Sequence, residues 1–185
     1  MPTRFAETGA ADAGAGGVEI ETFTLAANGW VPNNPHLPVL LYRHVVAAGG
    51  DDIGAALEAR FNRNGWPVQW RDTVLDYHHF HSTAHEALGV CRARAKLVIG
   101  GPGGRAIDVE AGDVLVLPAG TGHCLVSRDG PFEVVGAYPP GQQWDMRDMR
   151  GEALTDDERR AMLVLAFPHS DPVCGSDGPL TRRSH

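Results

Sequence analysis

Tyr77-His78-His79-Phe80-His81-Ser82-Thr83-Ala84-His85-Glu86-Ala87-Leu88-Gly89 holds four of the nine histidines in this chain. In an extended strand, residues two apart face the same side about 6.5–7 Å apart, so His79 and His81 can aim both imidazoles at one point between them. Imidazole is the commonest protein metal ligand. A carboxylate such as Glu86 adds the hard, anionic donor that divalent iron, manganese, nickel or zinc accepts. The stretch therefore reads as one half of a metal site built on a strand.

A second segment, Gly112-Asp-Val-Leu-Val-Leu-Pro118-Ala-Gly120-Thr-Gly-His123, supplies the other half. Ala111-Gly112-Asp113 is a turn and Val114 to Leu117 a short buried strand. Pro118-Ala119-Gly120 then reverses the chain and delivers His123. At these spacings, His79-x-His81 with Glu86, followed by Gly112, Pro118, Gly120 and His123, resembles the two signature motifs of the cupin superfamily, over about residues 73 to 127. The resemblance implies an all-β fold, a double-stranded β-helix or jelly-roll barrel. It also implies that His79, His81, His123 and Glu86 share one divalent ion. Three turn positions depart from the family pattern, with Thr73 and Ala93 replacing glycines and Ser127 an asparagine, and none of them is a ligand. Pro32-Asn-Asn-Pro35, Leu37 to Tyr42, Asp171-Pro-Val-Cys-Gly175 and Gly178-Pro-Leu180 further resemble the YjlB-type single-domain bacterial cupins, for which no reaction is agreed.

Strand parity and the resemblance disagree at one position. Alternation from His81 puts Thr83 and His85 on the ligand face and Glu86 on the other. The family pattern selects Glu86, which requires a bulge or turn within Ser82-Thr83-Ala84. With Glu86 as the donor, His85, His78 and Tyr77 become second-shell or pocket candidates, or ordinary polar residues of the outer face.

The 185 residues fit one domain with extensions, and the formal net charge of -7 argues against nucleic acid or an anionic membrane as the main partner. No apolar run approaches the roughly 18 residues of a spanning helix, and the first residues lack a secretory pattern, so cytoplasm is the default compartment. Cys91, Cys124 and Cys174 are odd in number and widely spaced, which predicts free thiols. Residues 1–17 read as a flexible segment rich in glycine and alanine. The barrel is expected over 18–140, with an extension over 141–185.

Within the barrel, Val18 to Leu25 and Val39 to Val46 read as strands, the second buried on both faces at its centre. Asp51 or Asp52 can cap a helix over about 52–63, where Ile53, Leu57 and Phe61 form one apolar face and Asn64-Gly65 the stop. Trp66 and Trp70 can gate the mouth of the barrel or cover the seam between helix and barrel, and the seam is the expectation. Gly100-Gly101-Pro102-Gly103-Gly104 reads as a wide hairpin turn, since it lacks a phosphate loop's lysine. Leu88 to Val90, Ala95 to Ile99, Ile107 to Val109, Val114 to Leu117, Cys124 to Val126 and Phe132 to Tyr138 are expected as separate short strands. Thr155-x-x-Glu158 is a capping box that opens a second helix, with a terminal strand over Met162 to Phe167 as the alternative. The tail is expected to dock over the pocket or across a dimer seam, with a frayed end from Arg182.

Four ligands leave one or two positions on an octahedral ion open. The leading function is accordingly a small-molecule metalloenzyme, an oxygenase or an isomerase. No catalytic acid or base is assigned. A non-catalytic module that binds or senses a sugar or organic acid is the alternative, and a structural barrel with relic histidines the third reading. Metal occupancy should fall below about pH 6, where imidazoles protonate. Exposed sheet edges, and the way related proteins pair through an N-terminal strand, point to a homodimer.

Overall fold

Strands β2 (Val39–Arg43) and β7 (Val114–Leu117) are apolar at almost every position because both of their faces are covered. Val39, Leu41, Leu115 and Leu117 point into an inner core between the halves of a curved sheet. Leu40, Tyr42, Val114 and Val116 point the other way, into an outer core beneath a helix. The period-2 rule thus explains a run that shows no alternation of its own.

The structure is a computed structural model that describes residues 17–166 and 168–182. The remainder of the expected flexible N-terminal segment, Phe167, and the last three residues of the expected frayed end lie outside the described residues. The other strands are β1 (Glu19–Phe23), β3 (Val68–Asp72), β4 (His79–Phe80), β5 (Glu86–Ile99), β6 (Arg105–Glu110), β8 (His123–Ala137) and β9 (Arg147–Asp148). They form one antiparallel sheet in the order β1-β2-β7-β5-β8-β4-β9, with β3 also paired to β8 and β6 to β5. This is the all-β jelly-roll architecture that the sequence reading expects, with two flanking helices. Among the described residues no helix is long and apolar enough to cross a membrane.

Two strands are longer than the sequence implies. Leu88–Val90 and Ala95–Ile99 are one strand, β5, and Cys124–Val126 and Phe132–Ala137 are one strand, β8. Their pairing shifts register between Val90 and Arg94. Ala93 (φ 66°) and Gly130 (φ 86°) sit opposite each other at that kink in left-handed conformation. Asp129-Gly130 therefore reads as a turn although the ladder continues past it. The bend lets β5 pair with β7 at one end and with β6 at the other, which curls the sheet.

Helix α1 (Ile53–Arg63) is capped by Asp52, whose side chain accepts from the Ala55 amide at 2.9 Å, and it ends at Asn64-Gly65. Leu57, Phe61 and Trp66 are fully buried in the outer core, each worth roughly 1.5–3 kcal/mol of apolar burial. Helix α2 (Asp156–Leu163) carries the complete Thr155/Glu158 capping box, so the described residues of Met162–Phe167 form a helix end and no strand.

The tail packs on the outer core through Val173 and Leu180, away from the barrel interior. Asp171, fully buried, holds it there. Its carboxylate accepts from the Tyr42 hydroxyl and from the amides of Val173 (2.8 Å), Cys174 (3.0 Å) and Leu180 (3.4 Å). Of the two dockings the sequence leaves open, over the pocket or across a dimer seam, the first is replaced by docking on the helix side. The sheet also continues past Pro140, because β9 pairs with β4. All three cysteines are free thiols.

Candidate metal centre

His79 lies on β4 opposite His123 at the start of β8, and their ring centroids are 4.1 Å apart. His81 follows just beyond β4, its carbonyl accepting from the Gly120 amide at 2.7 Å. That bond ties the first segment to the turn that delivers His123. The turn is braced from a third segment, where Asn33 Oδ1 accepts from the Gly122 amide (3.1 Å) and Asn34 Nδ2 donates to the Ala119 carbonyl (3.2 Å). Gly120 and Gly122 are glycines for a packing reason. An added Cβ would lie 2.8 Å from the Asn33 carbonyl oxygen in the first case and 2.8 Å from the Gly101 nitrogen in the second.

One ring nitrogen from each of His79, His81 and His123 lies within 4.8 Å of the others, and all three residues are buried. Glu86, the first residue of β5, lies beside two of the three rings. Its Oε1 is 3.4 Å from His81 Nε2 and its Oε2 is 3.3 Å from His123 Nε2. Simple alternation fails between His81 and Glu86 because residues 82–83 form a bend. Asp145 stabilises the bend by accepting from the Ser82 amide (2.6 Å), the Ser82 hydroxyl (2.5 Å) and the Thr83 amide (3.3 Å).

The hydrogen bonds fix what the cluster presents. His79 Nδ1 is 3.0 Å from the Tyr77 carbonyl, His123 Nδ1 3.1 Å from the Thr121 carbonyl, and His81 Nδ1 2.5 Å from the Asp145 carbonyl. A carbonyl only accepts, so each Nδ1 carries the hydrogen. Each neutral ring then turns a bare Nε2 lone pair inward. Glu86 Oε2 makes no hydrogen bond, its contact with His123 lacking the geometry of one. Among the described residues the Tyr138 hydroxyl donates to this carboxylate, reaching Oε1 at 2.8 Å, and it accepts in turn from Trp70 Nε1 at 2.7 Å.

Three lone pairs and a carboxylate converging in a buried space repel one another unless a cation or a proton sits between them. Donors about 2.0–2.2 Å from one ion in neighbouring positions are about 3 Å apart, which the spacing to Glu86 approaches. The residues fit a divalent ion. Without one, a proton partly serves. Burial lowers the His81 pKa, but Glu86 outweighs burial and holds it above the ordinary histidine value. Burial raises that of Glu86, but His81 and His123 outweigh burial and hold it well below the carboxylate range. Burial and the neighbouring His123 push His79 down to about 3, so it stays neutral.

The cluster closes one end of a cavity of about 280 Å³. Of the secondary candidates, none lines it. His85 is buried on the far side, where Nδ1 accepts from the Ala119 amide (2.9 Å), the opposite tautomer from the clustered rings. Burial pushes its pKa down to about 4, against hydrogen bonding to the backbone of Leu165 and Ala166. His78 is half-buried, and Tyr77 stands at the surface under the Arg150 guanidinium. The Trp pair divides. Trp66 covers the helix seam as expected, whereas Trp70 lines the cavity, laid against Gly136, where a Cβ would meet its ring at 2.1 Å.

The sequence reading missed Tyr138, Trp144, Asp145 and Met146. The last three belong to a strap over residues 141–148, in which Arg147 braces Asp145 (2.9 Å) and anchors the strap to Glu158 of α2 (2.7 Å). The available signal was a tryptophan, a methionine and an acid just after Pro139-Pro140-Gly141.

No family model matches the chain. It is 37% identical to the uncharacterized protein YjlB of Bacillus subtilis (strain 168) over 166 residues, 88% of this chain and 94% of that protein. Solved structures that resemble it include the S161A mutant of Bacillus subtilis oxalate decarboxylase (13% identical, TM-score 0.33, 78% of this chain). Procruciferin, the 11S globulin of Brassica napus, is a second (13%, 0.35, 78%). Streptomyces albus HEPD with 2-hydroxyethylphosphonate and Fe(II) bound is a third (16%, 0.30, 81%). The chain spans 30%, 35% and 25% of those three, and at such distances no activity is carried over from them.

Proposed function

The chain belongs to the YjlB family of cupins, and from that premise we propose that it is a metal-dependent enzyme acting on a small molecule, an oxygenase or an isomerase. His79, His81 and His123 hold one divalent ion through Nε2, and Glu86 supplies the anionic donor. The observation that carries this reading is the convergence of three Nδ1-protonated imidazoles in the lining of a cavity, two of them beside a carboxylate with one oxygen that makes no hydrogen bond. A structural ion would be enclosed by its ligands, whereas this cluster faces open volume.

A bound ion would supply Lewis acidity and an open position for substrate or dioxygen. The protein's own groups do the rest. The carbonyls of Tyr77, Thr121 and Asp145 keep the protons on Nδ1, so the Nε2 lone pairs stay available. Tyr138 orients Glu86 by donating to Oε1 and is itself held by Trp70. Trp144 and Met146 reduce water access from the strap side. We also propose a homodimer. Among the described residues β1 pairs only with β2, and its other edge could take a second copy.

Elemental analysis of protein purified without a metal-affinity tag tests the core of this reading. Near-stoichiometric metal in the wild type and almost none in His79→Ala or His123→Ala is the expected result. Substoichiometric metal that survives either substitution overturns it. Oxygen uptake and product formation on keto acids, diols and thiols separate an enzyme from a binder. Light scattering at twice 19.8 kDa is expected for the dimer.

A further inference from the structure

The walls of the cavity carry a chemistry of their own. Among the described residues no lysine or arginine lines it, and the only carboxylates are Glu86 at its base and the exposed Asp72 at its rim. The remaining surface is mostly apolar, made by Val74, Leu75 and Leu88 with Trp70, Trp144 and Met146. At about 280 Å³ it lies just below the range of drug-sized sites.

Charge decides what such a space admits. A divalent ion balanced by Glu86 leaves a net charge of about +1 at the base, enough for one anionic group. A second carboxylate would stand in an apolar, low-dielectric pocket with no counter-charge, which is a large penalty. Polar recognition away from the base is sparse. Thr73 lines the cavity, and its buried hydroxyl has no hydrogen-bond partner.

The strap adds a second observation. Trp144 and Met146 line the cavity yet remain 43% and 41% exposed. The Trp144 ring lies edge-on to His81 at 5.6 Å and within 24° of the plane of Tyr138. A flat apolar body seated against these rings would remove that exposed surface from water.

We propose that this cavity takes a neutral or singly charged small molecule with a flat apolar body and one chelating head, and that it excludes small dianions. Trp144 and Met146 are specificity-determining residues rather than catalytic ones. The inference rests on the metal-centre reading above, and the test separates the two.

Wild-type protein is loaded with Mn(II), its metal content measured, and binding of benzohydroxamate, acetohydroxamate and oxalate followed by calorimetry and tryptophan fluorescence. Benzohydroxamate should bind at least about tenfold more tightly than acetohydroxamate, as burial of the extra ring surface implies, and oxalate most weakly. In Trp144→Ala the preference for the aromatic hydroxamate should fall to less than about a third of its wild-type value, with metal content unchanged. Equal affinities for the two hydroxamates, oxalate as the tightest ligand, or an unaltered preference in Trp144→Ala, all with stoichiometric metal, overturn the ligand class and leave the metal centre standing. Failure to hold Mn(II) overturns both.

Discussion

Of the three carboxylates that are buried among the described residues, Asp113, Asp171 and Glu86, the last two have opposite surroundings. Asp171 on the outer side faces four donors, three amides and the Tyr42 hydroxyl, with both oxygens engaged. Glu86 on the inner side has one hydrogen-bonded donor, Tyr138, and otherwise faces the Nε2 atoms of His81 and His123. A closed set of partners marks a carboxylate that holds structure together. An incomplete set, tolerated in a buried position, marks one reserved for something the polypeptide does not supply.

The largest effect expected from this contrast is on stability. Asp171→Ala strands three amides and a hydroxyl and should cost about 3–5 kcal/mol. For a chain of this size that is a melting point roughly 10 °C lower, while metal content per folded molecule stays at the wild-type level. Loss of metal together with stability would break the division between the two acids. His123→Ala should behave in reverse. Its metal content should drop below about a tenth of wild type, and its metal-free melting point should fall less than half as far as that of Asp171→Ala.

Between these extremes lies Asp145. Its carboxylate pins the Ser82-Thr83 bend while its carbonyl holds His81. Asp145→Ala should lower metal affinity by about 10–100-fold, the usual range for groups that orient a ligand. Competition with a fluorescent chelator measures this, and an unchanged affinity would reduce the strap to packing. The smallest effect belongs to Ala93. An L-residue in left-handed conformation costs about 1–2 kcal/mol, and the family pattern has glycine at this position. Ala93→Gly should stabilise the fold by about 0.5–1 kcal/mol in urea unfolding, with the site unaffected.

Much of this architecture was legible in the residues because it rests on local rules. Asp52 and Thr155 announce their helices by capping chemistry, and the sequence 114–117 announces its strand by composition. The long strands β5 and β8 were not legible. Their middles carry Ala93 and Asp129-Gly130, which read as breaks, and only the cross-strand partner shows that the ladder continues. At the site, the spacing of His79, His81 and His123 was readable because two motifs coincide. Tyr138 was not, since its role depends on meeting Glu86 from 52 positions away. His85 had parity in its favour, and only the Asp145-pinned bend turns Glu86 inward in its place.

The main-chain anchoring of the three imidazoles bears on how this scaffold can change over time. His79 and His123 each lean on the carbonyl two positions earlier, so no replacement of the side chain at 77 or 121 removes that support. His81 leans on a segment 64 positions downstream. Drift in the strap can therefore retune one corner of the centre while the other two stay fixed, giving related chains a single adjustable point at which new chemistry can be tried without dismantling the rest.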